Sequence, residues 1–291
     1  MELWFYTAWV PQGSFPNRLM DYPVIKTRLL HWVNFLYGAT GYLHWGYNFW
    51  GVPFDQFSPG DNWIVWPGLD GPRSSLRYEA MRQGIEDYEF LMMLVDSTRE
   101  VARKLAAQAG LEYREEKEVA FGGNGKAIDN IWDPRLRAVE LARLVMRGIT
   151  DYTWDDSRLL TVRETVEREI IEMQKHPWAL VKTSPGTDEP LEVGVSGREV
   201  QVEGFVEAGT TVEIEVPSDE GGAGGACSKA VEVDSRGHFS VGVVVGAKRE
   251  VLIHLRKGEA QKTLVRRWPG PEAWKKEGAL RRQMQAHAAG P

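Results

Sequence analysis

Leu3-Trp4-Phe5-Tyr6-Thr7 and Gly41-Tyr42-Leu43-His44-Trp45-Gly46-Tyr47-Asn48 are the two stretches on which the fold turns. Both are short, aromatic and apolar, and turn formers punctuate them: Pro11-Gln12-Gly13 after the first, and Gly38 and Gly41 bracketing the entry to the second. Each reads as a strand. Between them, from Pro23, the apolar spacing becomes helical, with Ile25, Leu29, Trp32 and Leu36 on one face. Strand, long loop, helix and strand in that order make a crossover between parallel neighbours. Trp63 to Trp66, closed by Pro67-Gly68, is a third strand candidate, and Ser75 is the expected N-cap of a long helix from Leu76 to about Ala107. The strand–helix unit thus repeats.

Farther along, residues 111 to 127 are charged and then glycine-rich, as in an exposed connection. Asp133-Pro134 predicts a helix start, with a stripe of Leu136, Val139, Ala142 and Val145. Asp156 is the expected cap of another helix, where Leu159, Val162, Val166, Ile170 and Met173 recur at three- and four-residue steps. The polar, proline-rich 183–190 reads as a linker. Beyond it the pattern has period two: Val200 and Val202, Val212 to Val216, Val231 and Val233, Phe239 to Val243, and Val251 to Leu255. About seven strands separated by glycine turns predict a small β-sandwich over 191–268, followed by a tail, 269–291. The fold class expected is α/β plus all-β, with residues 1–182 as the first domain.

At 291 residues and 43% hydrophobic composition the chain can bury two cores. A net charge of −6 argues against a nucleic-acid partner, which requires concentrated Lys and Arg. No apolar run approaches the length of a membrane span. Cys227 is the single cysteine, so no internal disulfide or thiolate cluster can form. The six histidines are scattered, Gly122-Gly123-Asn124-Gly125 does not follow a clear strand, and Gly221-Gly222-Ala223-Gly224-Gly225 reads as a flexible sandwich loop; no metal or other cofactor is expected. Seven of the twelve tryptophans lie within the first 66 residues, a concentration suited to an aromatic-lined cavity or surface.

Three stretches together resemble the C-terminal half of the catalytic domain of glycoside hydrolase family 123. They are Leu3 to Thr7 with Pro16-Asn17-Arg18 and Asp21-Tyr22-Pro23; Gly41 to Trp50; and Pro59-Gly60-Asp61 through Trp66-Pro67-Gly68 to Ser74-Ser75-Leu76-Arg77-Tyr78-Glu79 and Glu86-Asp87-Tyr88-Glu89. A weaker likeness runs to about residue 176, and the sandwich resembles bacterial immunoglobulin-like modules. The resemblance implies the last three strands of a (β/α)8 barrel, with five strands upstream as the natural partner of this chain. It implies retaining hydrolysis of β-linked N-acetylgalactosamine, assisted by the substrate's acetamido group and an adjacent Asp-Glu pair on a middle strand. No such pair closes a strand here, so it is expected upstream of Met1, in a bacterial parent that is secreted or displayed at the cell surface. The chain alone is then expected to be inactive and poorly soluble or oligomeric. Two other possibilities stand beside this one: a non-catalytic carbohydrate-binding or cell-surface protein, and an incomplete gene product.

Barrel sites sit at the C-terminal ends of strands. That rule selects Tyr6, Trp9, Asn17, His44, Trp45, Tyr47, Trp50, Asp61 and Trp63 as substrate-binding candidates, because aromatic rings cover the C–H faces of sugars while Asn, His and Asp take hydroxyls. Aromatics continuous from strand to loop favour a binding role for Trp45, Tyr47 and Trp50, whereas Trp4, Trp32 and Trp66 read as core. His44 could be an acid or a hydroxyl ligand, although a lone histidine is more often a core residue. Asp61 either binds hydroxyls or holds its turn. Which face of Gly41 to Asn48 points inward, Leu43-Trp45-Tyr47 or Tyr42-His44-Asn48, alternation leaves open. Arg77, Glu79, Arg82, Asp87 and Glu89 are expected to form a salt-bridge lattice rather than a catalytic group.

Overall fold

The computed structural model describes residues 2–51, 60–115, 130–218 and 227–273. The two glycine runs, Pro59 and most of the tail lie outside these residues. Strand β1 (Trp4–Thr7) pairs in parallel with β2 (Gly41–His44), in register from Trp4 opposite Gly41 to Thr7 opposite His44. Helices α1 (Ile25–Arg28) and α2 (Leu30–Tyr37) make the crossover, and Gly38, in the left-handed conformation at φ 65°, ends α2. Alternation then sorts the side chains. Phe5 meets Tyr37 edge-on at 5.9 Å and Tyr42 meets His31 at 5.7 Å, so Phe5, Thr7, Tyr42 and His44 face the helices. Trp4, Tyr6 and Leu43 occupy the opposite, open face, and the Trp4 indole lies across Gly41 so closely that a Cβ there would sit 2.4 Å from the ring.

The third strand does not form. Trp63 and Trp66 make only isolated antiparallel bridges, to Asn48 and Arg73. The side chains of Arg77, Ser75 and Trp50 bond instead to the carbonyls of Trp63, Ile64 and Val65. The second strand also ends early, at His44 rather than Asn48, because Gly46 turns the chain against Asn62 and its N–H bonds back to His44 Nδ1 at 3.1 Å. Trp32 is buried, as expected, but Trp4 and Trp66 are 56% and 37% exposed and do not belong to the core.

Helix α3 (Leu76–Gln108) begins at Ser75, whose hydroxyl accepts the Tyr78 N–H at 3.1 Å. It crosses α1 at Gly84, where a Cβ would come 2.3 Å from the Arg28 carbonyl oxygen. One turn on, buried Asp87 accepts from Arg28 Nε and Nη2, Trp32 Nε1 and Arg163 Nη1 at 2.7–3.1 Å. Of the expected ionic lattice, Asp87 is a buried knot and Glu79 and Arg82, joined by Glu86, an exposed part, whereas Arg77 and Glu89 make no ion pair among the described residues. Helix α4 (Leu136–Val145) buries Ala138, Leu141, Ala142 and Val145, a stripe rotated from the one expected. After the short pair β3 (Met146–Gly148) and β4 (Asp151–Tyr152), α5 (Asp156–Gln174) is capped by Asp155 rather than Asp156, and its predicted apolar face is buried throughout.

Seven strands then form two antiparallel sheets. β5 (Ala179–Ser184), β6 (Arg198–Val206) and β9 (His238–Val245) make one, in the order β5-β6-β9. The other has the order β11-β10-β7-β8, from β7 (Thr211–Val216), β8 (Cys227–Val231), β10 (Glu250–Lys257) and β11 (Ala260–Arg267). Their inward valines, with Phe239, Ile214, Ile253 and Trp268, form a separate core. The stretch 183–190, expected as a linker, is instead built in: Ser184 ends β5, and the Thr187 hydroxyl is buried between Arg137 and Glu140. Arg137 also grips Glu169, with Arg266 nearby; burial alone would raise the Glu169 carboxyl, yet the two guanidinium groups outweigh it and hold it below the ordinary range. Gln108 at the end of α3 bonds Val206 and Ala208 of the sandwich, so the helices and the sheets share one continuous interface.

Candidate carbohydrate-binding site

At the C-terminal tips of β1 and β2 the chain enters two loops, and their anchoring decides what is presented there. The first runs from Ala8 to Tyr22. Asn17, fully buried, spends its amide on that loop, donating to Ala8 and Pro11 carbonyls at 2.9 Å each and accepting the Arg18 N–H at 2.8 Å. It staples the loop and has no donor left for a sugar. Lys26 donates to the Gly13 carbonyl beneath the Tyr22 ring, 3.8 Å from its centroid, and burial pushes the ammonium down to about 8. Tyr152 fastens Ser14 from the far side at 2.8 Å.

This loop delivers Arg18, 3% exposed, to the tip of β2. Its Nη2 meets His44 Nδ1 at 2.5 Å and donates to the Asp61 backbone oxygen at 3.3 Å. Because Nδ1 also faces the Gly46 N–H, it must be the acceptor nitrogen, and Nε2 carries the proton. Burial first, then the Arg18 charge, pushes the imidazole down to about 3, so His44 is neutral at physiological pH and unsuited to general-acid work. Its Nε2 stands 3.9 Å from Asp61 Oδ2, beyond hydrogen-bond reach.

Asp61 Oδ2 accepts instead from Trp45 Nε1 at 2.7 Å. That bond fixes an indole 42% exposed, lying near parallel to the His44 ring at 6.3 Å and tilted against Phe49 at 5.8 Å. Three of the nine candidates, His44, Trp45 and Asp61, thus lie side by side at the tip of β2. Trp50 and Trp63 stand behind them, half-buried, donating to Val65 and Phe49 carbonyls. Tyr47 is exposed and meets Tyr78 edge-on at 6.4 Å. Tyr6 lies on the open sheet face and Trp9 projects from the first loop; among the described residues no ring contact joins either to Trp45.

Among the described residues, Arg18 Nε, His44 Nε2, Asp61 Oδ1 and Asn62 Oδ1 are buried with no hydrogen-bond partner, two donors and two acceptors. A hydroxyl group or water, which both donates and accepts, is the chemistry such a set satisfies. No group of three or more His, Cys, Asp or Glu able to hold a metal occurs among these residues, and no helix of them is long and apolar enough to cross a membrane.

The sequence singled out neither Arg18 nor Arg77 as part of this site. Arg77 left a signal: it occupies the first turn of α3, where the helix dipole disfavours a cation, so some specific bond must hold it there.

Residues 1–94 match the family model described as glycoside hydrolase 123, catalytic domain, which bears out the family resemblance over both strands, the crossover, the site loops and the first half of α3. A search of curated proteins finds no match.

Proposed function

We propose that residues 1–94, a segment of the glycoside hydrolase 123 catalytic-domain family, form one wall of a carbohydrate site with the Trp45 indole as its platform. The carrying observation is the Asp61–Trp45 hydrogen bond, which holds an exposed ring at a strand tip above a neutral histidine. An indole face offers a pyranose its C–H contact, and Tyr47 and Phe49 extend the apolar surface. The His44 Nε2–H and Asp61 Oδ1, both buried, are a donor and an acceptor of the kind an ordered water satisfies, and such a water would stiffen the platform from behind.

The substrate we infer is a glycan with β-linked N-acetylgalactosamine, cleaved with retention by participation of the acetamido group. Among the described residues neither strand ends in an adjacent Asp-Glu pair: β1 ends at Thr7, β2 at His44, and the Glu86-Asp87 pair lies within α3, where four donors saturate Asp87. The two carboxylates would come from further parallel strands pairing with the outer edges of β1 and β2, as in a (β/α)8 barrel. The sandwich, read as an immunoglobulin-like module, would brace the helices through Thr187 and Arg266, which meet the buried Arg137–Glu169 pair of α4 and α5, rather than swing on a linker.

Calorimetric titration with an oligosaccharide ending in β-linked N-acetylgalactosamine tests this reading. Binding by the wild-type chain, at least tenfold weaker in Trp45→Ala, without release of free sugar is the expected result. Equal binding by the variant would remove the platform, and turnover by this chain would place the acids within it.

A further inference from the structure

Three carbonyls from two separate loops converge on one side chain. Arg77 donates through Nη1 to Arg18 O at 2.6 Å and Gly60 O at 3.0 Å, and through Nη2 to Trp63 O. Arg18 in turn reaches His44 and the Asp61 carbonyl. Neither guanidinium has a carboxylate within 4 Å among the described residues, although each is buried. Burial and the mutual repulsion of the two cations push Arg18 down to about 10. Ion pairing therefore does not explain why these two cations are buried side by side.

Geometry does. A planar guanidinium presents several N–H groups in a fixed fork, so it can hold three acceptors at set angles, which a lysine ammonium on a flexible stem does not. The segment Gly60–Trp63 is bound by that fork at both ends, and Asp61, lying between them, is bound a third time by Arg18. Asp61 is the residue whose carboxylate orients the Trp45 ring. Gly60 itself has φ +70°, and a Cβ there would lie 2.8 Å from the Met20 side chain, so its carbonyl is delivered by a backbone that only glycine adopts readily.

We propose that Arg77, acting through Arg18 and the Gly60–Trp63 backbone, is a positioning residue that sets the orientation of the Trp45 indole without touching the sugar. This rests on the carbohydrate-site reading for its biological purpose, but the orientation can be read without any ligand. Chain labelled with 5-fluorotryptophan gives one fluorine resonance per indole, and Trp45→Phe assigns the one that matters. Asp61→Ala supplies the reference spectrum of a Trp45 that lacks its Asp61 bond.

In Arg77→Gln the Trp45 resonance is expected to move or broaden toward the Asp61→Ala position, while those of Trp32 and Trp268 stay in place. Arg18→Lys, which keeps the charge but loses the fork, is expected to do the same. With N-acetylgalactosaminide added, both variants should bind at least fivefold more weakly than wild type. A wild-type Trp45 resonance in folded Arg77→Gln and Arg18→Lys overturns the proposal. Loss of the whole fold in both overturns it too, since it assigns the pair to the scaffold at large. Absence of sugar binding by wild type, with the resonance shifts present, sinks the carbohydrate reading and leaves the positioning role standing.

Discussion

Replacing Gly84 by alanine probes the closest helix crossing in the fold. In an isolated helix the change is favourable by about 1 kcal/mol, because alanine loses less backbone entropy. Here the new Cβ would lie 2.3 Å from the Arg28 carbonyl oxygen and 3.1 Å from its carbon, both backbone atoms that cannot rotate away. Restoring ordinary contact requires α1 and α3 to separate by about 1 Å, an overpacking cost of roughly 1–3 kcal/mol. The same movement pulls Arg28 from Asp87, whose bonds at 2.7 and 2.9 Å are charge-assisted and buried, costing about 1.5–3 kcal/mol more if one is lost. The net expectation is a destabilisation of about 2–4 kcal/mol, or roughly 3–7 °C in Tm for a chain of this size. Scanning calorimetry measures it, with Gly148→Ala as control, since a Cβ there meets nothing within 4 Å. A Tm for Gly84→Ala equal to or above wild type would refute the crossing geometry.

Three further outcomes follow from buried charges. Asp87→Asn leaves Arg28 and Arg163 facing a neutral amide and should cost about 3–5 kcal/mol in urea unfolding; a cost under 1 kcal/mol would mean the carboxylate is not the knot of the lattice. The Asp188 carboxyl, pushed up to about 6 by burial, with Arg143 offsetting part of the shift and Glu140 adding to it, binds its proton more tightly folded than unfolded. Its contribution is therefore greatest below about pH 4 and is lost as pH rises through 6, so Asp188→Asn should raise Tm relative to wild type at pH 7.5 and change it little at pH 4; the reverse order would contradict the burial. His44 has the opposite sign: held neutral down to about 3, it costs stability as pH falls below about 6.5, and the urea midpoint of His44→Gln should vary less between pH 7 and pH 4.5 than that of wild type.

Periodicity carried most of the architecture. The stripes Ile25-Leu29-Trp32 and Leu159-Val162-Val166-Ile170 are buried as their spacing requires, and the alternating valines after residue 198 form the sandwich core, because in these elements one face meets one apolar layer. Two features escaped for a common reason. Trp63 to Trp66 has strand composition, and 183–190 has linker composition, but remote side chains satisfy their backbone and hydroxyl groups: Arg77 and Ser75 in the first, Arg137 and Trp268 in the second. Local sequence does not record such partners. At the site, Trp45 was singled out from its place at the end of a strand, whereas nothing local shows that the Asp61 carboxylate would meet its indole, and Asn17 belongs to its own loop. Arg18 and Arg77 act through carbonyl oxygens, which every residue carries, so no spacing of side chains announces them.

Carbohydrate recognition at Trp45 is tested most directly by following the indole N–H signals of the 15N-labelled chain during titration with methyl β-N-acetylgalactosaminide. The Trp45 signal, bonded to Asp61, should shift progressively and saturate, with smaller movements at Trp50 and Trp63, while buried Trp32 and Trp268 remain fixed. Saturable shifts confined to tryptophans of the helices or the sandwich, with Trp45 unmoved, would contradict a sugar platform at the strand tips.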